Sequence, residues 1–253
     1  TLPHSITKDE IYLFVGLIGT TISPYLFFWD TSEIVEEEIS KHRISTEGNT
    51  PKITKRFLKS IRLDNFVGMT LASLTAWFIV VVCGTVLFKN GTGSIQTAAD
   101  AAKALEPLVQ NFPHSGVIAK SIFSFGIIGL GFLAVPVLAG SSSYAISEAF
   151  GWREGFHRKL RKAPGFYTII ALATLVGLAI NFLGIDPIKA LVFTAVCNAI
   201  AAIPLLLLIF FIARSPKIMG EYKSGVLSQS LTFMAFLGLL GSFIMLCVSF
   251  MRG

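Results

Sequence analysis

Charged residues are scarce in this chain of 253 residues: they make up 14% of it, whereas hydrophobic residues make up 53%. A water-soluble domain carries about a quarter charged residues, so an ordinary soluble protein is excluded. The mean hydropathy of +0.70 points the same way. We therefore expect an integral membrane protein in a lipid bilayer, with residues 1–253 forming a single transmembrane domain and no separate soluble domain.

Cysteine and histidine are also rare. The three cysteines all lie inside apolar stretches, and none has the spacing of a metal-ligand pair, so they are predicted to be small buried residues. The four histidines all lie outside the apolar stretches. No HExxH motif, CxxC pair, nucleophile elbow or glycine-rich phosphate loop is present. The sequence therefore predicts neither an enzyme nor a bound cofactor.

The basic residues are distributed unevenly along the chain. Fifteen of the 21 lysines and arginines fall in segments 41–62, 152–163 and 213–228, while segment 89–115 holds only two. The net charge of +6 therefore does not indicate a nucleic-acid partner, because basic segments between apolar spans are what the positive-inside rule describes. It predicts that the three basic segments are cytoplasmic and that both chain ends lie outside.

Six apolar stretches are long enough to be considered membrane spans, which need about 18 residues or more. An outer N-terminus without a recognisable signal sequence predicts an odd number of further helices upstream, so that the chain is part of a longer protein. Segment 95–112 has helical apolar spacing and is predicted to lie on the outer surface. The predicted spans cover about 11–40, 66–88, 117–139, 166–183, 188–212 and 229–251.

The first span is interrupted near its middle by the hydroxyl-rich run from Gly19 to Pro24. With a hydrocarbon core about 30 Å thick, the midpoint falls near Thr21. Backbone that leaves the helix at this depth needs partners, because an unpaired carbonyl there costs several kcal/mol. A cation or ordered water would supply them. The alternative is a proline kink whose hydroxyls bond back to their own helix.

Carboxylates follow the interruption. Asp30 comes about 9 Å past Pro24, and together with Glu33 and Glu37 it falls on one helical face. An ionisable group inside the hydrocarbon depth suggests a functional site, so Asp30 is predicted either to line a vestibule or to be an interfacial charge.

Three consecutive carboxylates, Glu36, Glu37 and Glu38, follow toward the end of this helix. We expect these carboxylates in cytoplasmic water, paired with Lys41 and Arg43.

Polar residues are few in the other spans. Thr194 and Asn198 lie four residues apart in the fifth span and share a face. Groups of this kind usually hydrogen-bond one helix to another, and lining of a cavity is the functional alternative. The serines from Ser141 to Ser147 are predicted to mediate close packing or to line an inner mouth.

The interrupted helix resembles the sixth helix of NRAMP-type divalent metal transporters, in particular the bacterial NRAMP-related branch proposed to move magnesium. The similarity extends over most of the chain. It is carried by the run Gly19–Glu38 and by three shorter motifs: Val135-Pro-Val-Leu-Ala-Gly-Ser, Ala149-Phe-Gly-Trp-Arg-Glu-Gly and Asp186-Pro-Ile-Lys-Ala.

This resemblance implies a LeuT-type fold of two inverted repeats in the bacterial inner membrane. The six spans would correspond to helices six to eleven, that is, the second repeat plus one extra helix, with the first of them unwound mid-membrane. The missing upstream helices would contain an Asp-Pro-Gly-Asn motif that supplies a carboxylate ligand. That motif is absent from this chain.

The resemblance also implies a metal site. The family's Met-Pro-His-Asn signature places Ser23 at the methionine position and the contacting carbonyl on Thr20, and its two histidines correspond to Tyr25 and Asp30. A hydroxyl in place of a thioether suits Mg²⁺ or Mn²⁺ rather than soft metals. Without the histidines, proton coupling through imidazole is not implied.

The predicted function is transmembrane transport of a divalent cation, Mg²⁺ first and Mn²⁺ second, bound near Thr20 and Ser23. Two alternatives stay open: a LeuT-fold carrier of an organic solute, and a non-transporting membrane scaffold subunit. The residues predicted to line the pathway are Thr21, Pro24, Tyr25, Trp29, Asp30, Thr194 and Asn198.

Overall fold

The computed structural model describes residues 7–41, 54–87, 97–109, 111 and 114–251, and within these residues the secondary structure is helical, with no strand. The all-α class predicted from the long apolar stretches is confirmed for these residues. The helices, numbered in chain order, are α1 Lys8–Thr21, α2 Pro24–Ser40, α3 Lys55–Val82, α4 Ala98–Ala104, α5 Ser115–Phe150, α6 Pro164–Phe182, α7 Pro187–Arg214, α8 Pro216–Met219 and α9 Val226–Met251.

Five helical segments are long and apolar enough to cross a bilayer: Lys8–Ser40, Lys55–Thr85, Ser115–Phe150, Pro187–Arg214 and Val226–Met251. The predicted span 166–183 forms α6, whose apolar part Pro164–Ile180 is shorter than the other five. The integral membrane class is therefore supported by five candidate spans. That α6 is a sixth span, and that these helices form an inverted repeat, stay predictions.

Several helix boundaries differ from the predicted ones. The helix predicted over 66–88 begins at Lys55, so the second half of the basic segment 41–62 is helical, and residues 42–53 lie outside the described residues. The helix predicted over 117–139 continues past Pro136 to Phe150. Within the predicted surface helix 95–112, the described residues form two short helices, α4 and the 3₁₀ turn Glu106–Val109. Pro107 has no N–H to continue the α-helical bonding, so α4 ends before it.

Local chemistry explains where the helices start. Thr7 and Glu10 form a capping box at α1, with Thr7 N–H donating to Glu10 Oε2 (2.7 Å) and Glu10 N–H to Thr7 Oγ1 (3.3 Å). The side chain of Thr54 accepts from the Phe57 N–H at α3. α6 begins on a proline, whose fixed φ suits the first helical position.

The chain divides into two compact units, and the first comprises Thr1–Phe27 and Pro187–Gly253. In this unit α1, α7 and α9 pack against one another. Small residues allow the close approach that is typical of membrane helices. The core side chains are Ile11, Val15, Val196, Ala199, Ala202, Leu206, Leu239 and Leu246.

The second unit is Phe28–Asp186. Its core lies between α5 and α6, where Tyr144, Ala163 and Phe166 are almost fully buried. The Ser143 hydroxyl donates to the Phe166 carbonyl across this interface, so the serine-rich end of α5 mediates helix packing. α3 is an apolar helix of 28 residues with no buried residue, an arrangement suited to lipid or to further helices rather than to water.

Candidate functional site

Helical hydrogen bonding is interrupted between α1 and α2. The last bond of α1 runs from the Ile22 N–H to the Ile18 carbonyl (3.0 Å), and Ile22 has φ −107° and ψ 84°. The next helix begins at Pro24. Because proline has no N–H, the carbonyl of Thr20 lacks the backbone donor that a continuous helix would give it.

Ser23 meets that carbonyl. Its hydroxyl donates to the Thr20 carbonyl oxygen at 2.8 Å, and Ser23 is buried, with 9% exposure. The two residues predicted to contact the metal are therefore in direct contact with each other through oxygen atoms. Pro24 is buried beside them and Tyr25 is half-buried.

The two threonine hydroxyls of the interruption bond to an earlier carbonyl of α1 than the Ser23 hydroxyl does. Thr20 Oγ1 and Thr21 Oγ1 both donate to the Leu17 carbonyl, at 2.8 and 2.9 Å, and both residues are exposed. This back-bonding is what the kink alternative predicts for the hydroxyls. The oxygen that distinguishes the site hypothesis is thus the Thr20 carbonyl and not the Thr20 or Thr21 side chain.

The end of α1 lies very close to α7. A Cβ built on Gly19 would overlap the carbonyl oxygen of Ala195 and lie 2.8 Å from both the amide nitrogen and the Cβ of Ala199. On the same face, Gly16 leaves ordinary contact distances of 3.7 Å to Ala195 Cβ and Val196 Cγ2. Glycine at position 19 therefore sets how closely the interrupted helix packs on α7.

The two polar residues of α7, Thr194 and Asn198, have different surroundings. The Thr194 hydroxyl donates to the Ala190 carbonyl of its own helix (2.8 Å), and the residue is exposed. Asn198 is half-buried, one turn before the fully buried Ala202. Asn198 is thus the less exposed member of the pair.

Trp29 lies in the second unit, among aromatic rings. Its ring packs edge-on against Tyr144 and Phe156, with centroids 6.2 and 5.8 Å apart. A Cβ on Gly140 would overlap the Trp29 ring and lie 3.3 Å from Phe156. A small residue on α5 is therefore needed where the indole rests.

Asp30 is exposed and faces a groove of about 560 Å³. The groove has an acidic lining, which attracts cations through the local potential. This placement is compatible with both alternatives for Asp30, the lining of a vestibule and an interfacial charge. The acidic residues that line the groove are Asp30, Glu33, Glu36, Glu37 and Asp64.

The prediction that Glu36, Glu37 and Glu38 all stand in water is wrong for two of them. Glu37 does form the predicted pair with Lys41. Glu38, however, is buried, with 5% exposure, and Glu36 accepts hydrogen bonds from Tyr144 and from the loop after α5. No local sequence pattern predicts the Glu36 contacts, because Tyr144 and Phe156 lie 108 and 120 residues away in the chain.

The loop after α5 itself contains a half-buried carboxyl, that of Glu154. Burial raises the pKa of Glu154 to about 7, and the negative charges of Glu148 and Glu36 add to the rise, while Arg158 opposes it. One carboxyl oxygen of Glu154 and the Nε of Arg158 are buried without a hydrogen-bond partner. Burial and the neighbouring negative charges thus favour the neutral form of the Glu154 carboxyl relative to a carboxyl in water.

Within the residues that the structure describes, no group of three or more His, Cys, Asp or Glu side chains is arranged to hold a metal ion. The oxygen atoms brought together at the interruption are the backbone carbonyl of Thr20 and the hydroxyl of Ser23.

Comparison with known proteins decides the family. The family model described as natural resistance-associated macrophage protein-like matches residues 1–249. The chain belongs to the Nramp family. The membership predicted from the interrupted helix and the shorter motifs is thereby confirmed.

Relatives of this Nramp chain include three proteins named "Divalent metal cation transporter MntH". The one from Caldanaerobacter subterraneus is 27% identical over 90% of this chain and 48% of its own length. Those from Clostridium acetobutylicum and Vibrio campbellii are 26% and 25% identical, over 77% and 88% of this chain and 39% and 46% of their own lengths. The chain thus spans about half the length of the relatives it matches, and these relatives are transporters rather than enzymes.

Proposed function

We propose that this Nramp chain forms part of a transporter for divalent metal cations, which bind at the interruption between α1 and α2. The observation that carries the proposal is the Thr20 carbonyl, which Pro24 deprives of a backbone donor and which the buried Ser23 hydroxyl meets at 2.8 Å. Unpaired carbonyls in discontinuous helices are the usual ligands for small cations in transporters. The names of the relatives support the substrate class.

The favoured ion is Mg²⁺, with Mn²⁺ second. A carbonyl and a hydroxyl are hard oxygen donors, which suit these ions. The Ser23 hydroxyl would turn its lone pairs toward the ion and give up its bond to Thr20. Because Mg²⁺ dehydrates reluctantly, the ion would keep several waters.

The remaining pathway residues are assigned by position. Thr21, Pro24 and Tyr25 adjoin the ion, and farther along α2 the inner path would be lined by Trp29 and Asp30. Asn198 and Thr194 of α7 would face the cavity.

The complete protein would lie in the bacterial inner membrane, with segments 41–62, 152–163 and 213–228 in the cytoplasm. The chain would be the second inverted repeat of a LeuT-type fold plus one helix, with the interruption at mid-membrane. Upstream helices would supply the missing carboxylate ligand, and rocking of one repeat against the other would alternate access.

Uptake into proteoliposomes tests the proposal. The full-length protein should take up Mg²⁺ or Mn²⁺, and amino acids should not compete, since competition would favour an organic-solute carrier. Ser23→Ala should raise the KM for the ion about fivefold, the equivalent of about 1 kcal/mol for one lost hydroxyl contact.

Ser40→Ala is the matched control, because the Ser40 hydroxyl also donates to the carbonyl three residues earlier (Glu37, 2.8 Å) but lies at the far end of α2. Equal KM values for the two variants would contradict a role for Ser23. Absence of any metal uptake would favour the scaffold alternative, which the back-bonding of Thr20 and Thr21 also suits.

A further inference from the structure

The carboxylate of Glu36 is enclosed by donors from α5 and from the loop that follows it. It accepts from the Tyr144 hydroxyl, from the Phe156 N–H at 2.9 Å and from the His157 N–H at 3.2 Å. The His157 Nδ1 stands 3.1 Å from the second carboxylate oxygen, and the Glu36 side chain is only 16% exposed. Donors to a carboxylate form stronger bonds than neutral pairs do.

The loop after α5, residues 151–158, is shaped to hold this carboxylate, and we call it the receptor loop. Gly151 ends α5 with φ +64°, and the Trp152 N–H then returns to the Ser147 carbonyl at 2.8 Å, as in a Schellman-type helix end. Gly155 has φ +112°, and a Cβ there would lie 2.5 Å from Glu36 Oε1. Position 155 thus needs glycine for its backbone angle and for the space that the carboxylate occupies.

The receptor loop is also held in place by contacts with α6. The Tyr167 hydroxyl of α6 donates to the Arg158 carbonyl at 2.8 Å, and the Phe156 ring packs on Phe166 with centroids 5.2 Å apart. Of the motif Gly151-Trp-Arg-Glu-Gly155, the last glycine is explained by this contact with α2.

The charge balance supports a specific role for Glu36. Acidic side chains near a helix C-terminus are opposed by the helix dipole, and Glu33 and Glu154 repel the Glu36 charge further. The loop N–H groups offset this repulsion. Glu37, the next residue, instead pairs with Lys41 at the surface, with about half of each side chain exposed.

We propose that Glu36 is a positioning residue for transport. Its carboxylate holds the second half of α2, which follows Trp29 and Asp30, against α5 and the loop after it, and we call this contact the latch. The latch is released when the cytoplasmic side of the transporter opens. This inference rests on the proposed transport function. The latch is a contact within the second unit and is remote in sequence from Thr20 and Ser23.

Thiol labelling tests the latch without metal transport. In a cysteine-free background of the full-length protein, Ile34→Cys reports on the groove that Ile34 lines, and a membrane-impermeant maleimide is added to inside-out vesicles. Glu36→Gln should raise the labelling rate about tenfold, as expected for weakening one charged hydrogen-bond set. Glu36→Ala should raise it further, because glutamine still accepts from one N–H. The control Glu37→Gln should leave the rate within twofold.

A second pair of variants tests the receptor loop. Gly155→Ala should act like Glu36→Gln. Gly220→Ala is the control, because Gly220 also has a positive φ but has open space around its Cβ position and lies in a different loop, and this variant should label like the unmodified protein. Transport is measured beside labelling, and Glu36→Gln should change Vmax while the KM for the ion stays within twofold.

The outcomes separate the latch from the proposed function. Equal labelling of the Glu36 and Glu37 variants, or a lower melting temperature for Glu36→Gln with unchanged labelling, would overturn the latch. If Glu36→Gln fails to fold, Tyr144→Phe, which removes one donor and keeps the ring, decides the matter by the same assay. Absence of metal uptake by the unmodified protein would instead count against the transport proposal.

Discussion

Gly19 of α1 lies against the backbone carbonyl of Ala195 in α7, so closely that a methyl group on Gly19 would overlap the carbonyl oxygen. Gly16, one turn earlier on the same face, has ordinary contact distances to the same helix. Both glycines are buried, and the sequence alone does not distinguish them. Of the two glycines, Gly19 has the closer contact with α7, and it lies three residues before Ile22, at which α1 loses its helical geometry.

The first prediction concerns this contact. Gly19→Ala should lower the free energy of unfolding by about 1–3 kcal/mol or more, because backbone atoms cannot move aside as side chains do. Gly16→Ala should be neutral or slightly stabilising, since alanine is the better helix former. Melting temperatures of the two full-length variants in detergent give the comparison, and equal values would contradict the close packing.

The interruption itself was predictable from the sequence, but its contacts were not. Pro24 and the hydroxyl residues before it predict that helical bonding fails, and the structure ends α1 at Thr21 and starts α2 at Pro24. Local spacing also predicts the pair of Glu37 with Lys41, which lie four residues apart. The burial of Glu36 depends on a loop 120 residues farther along the chain, and no local pattern carries such information.

The second prediction concerns the packing of the Trp29 ring against Gly140. Gly140→Ala should displace the indole and reduce the transport rate of the full-length protein, because the new methyl group would occupy the position of the ring edge. Gly129→Ala on the same helix meets nothing within 4 Å and serves as the control. Metal uptake, normalised to the amount of folded protein, is the measurement. Identical rates for the two variants would contradict the packing of Trp29 on α5.

The third prediction follows from the pKa of Glu154, which burial raises from 4.5 to about 7. Between these values the unfolded chain has released the proton and the folded chain still holds it, so stability should fall as pH rises from about 4.5 to about 7 and level off above. Glu154→Gln should remove this slope. The exposed Glu221→Gln should keep it.

Melting temperatures of the full-length protein from pH 5 to pH 8 would measure the Glu154 effect, as the difference between each variant and the unmodified protein. The unmodified protein should lose stability relative to Glu154→Gln across this interval. A difference that does not change with pH would mean that Glu154 is ionised throughout and that its burial in the loop is incomplete.

The last prediction concerns the choice of ion. Ser23→Met should raise transport of Mn²⁺ or Cd²⁺ relative to Mg²⁺, because a thioether favours softer metals than a hydroxyl does. Since Ser23 is buried with 9% exposure, the smaller Ser23→Cys tests the same change of donor with little change of volume. Ser40→Cys, at a serine far along α2, controls for the added thiol. Flux ratios of the ions in proteoliposomes provide the answer, and ratios unchanged in both Ser23 variants would mean that this side chain does not face the ion.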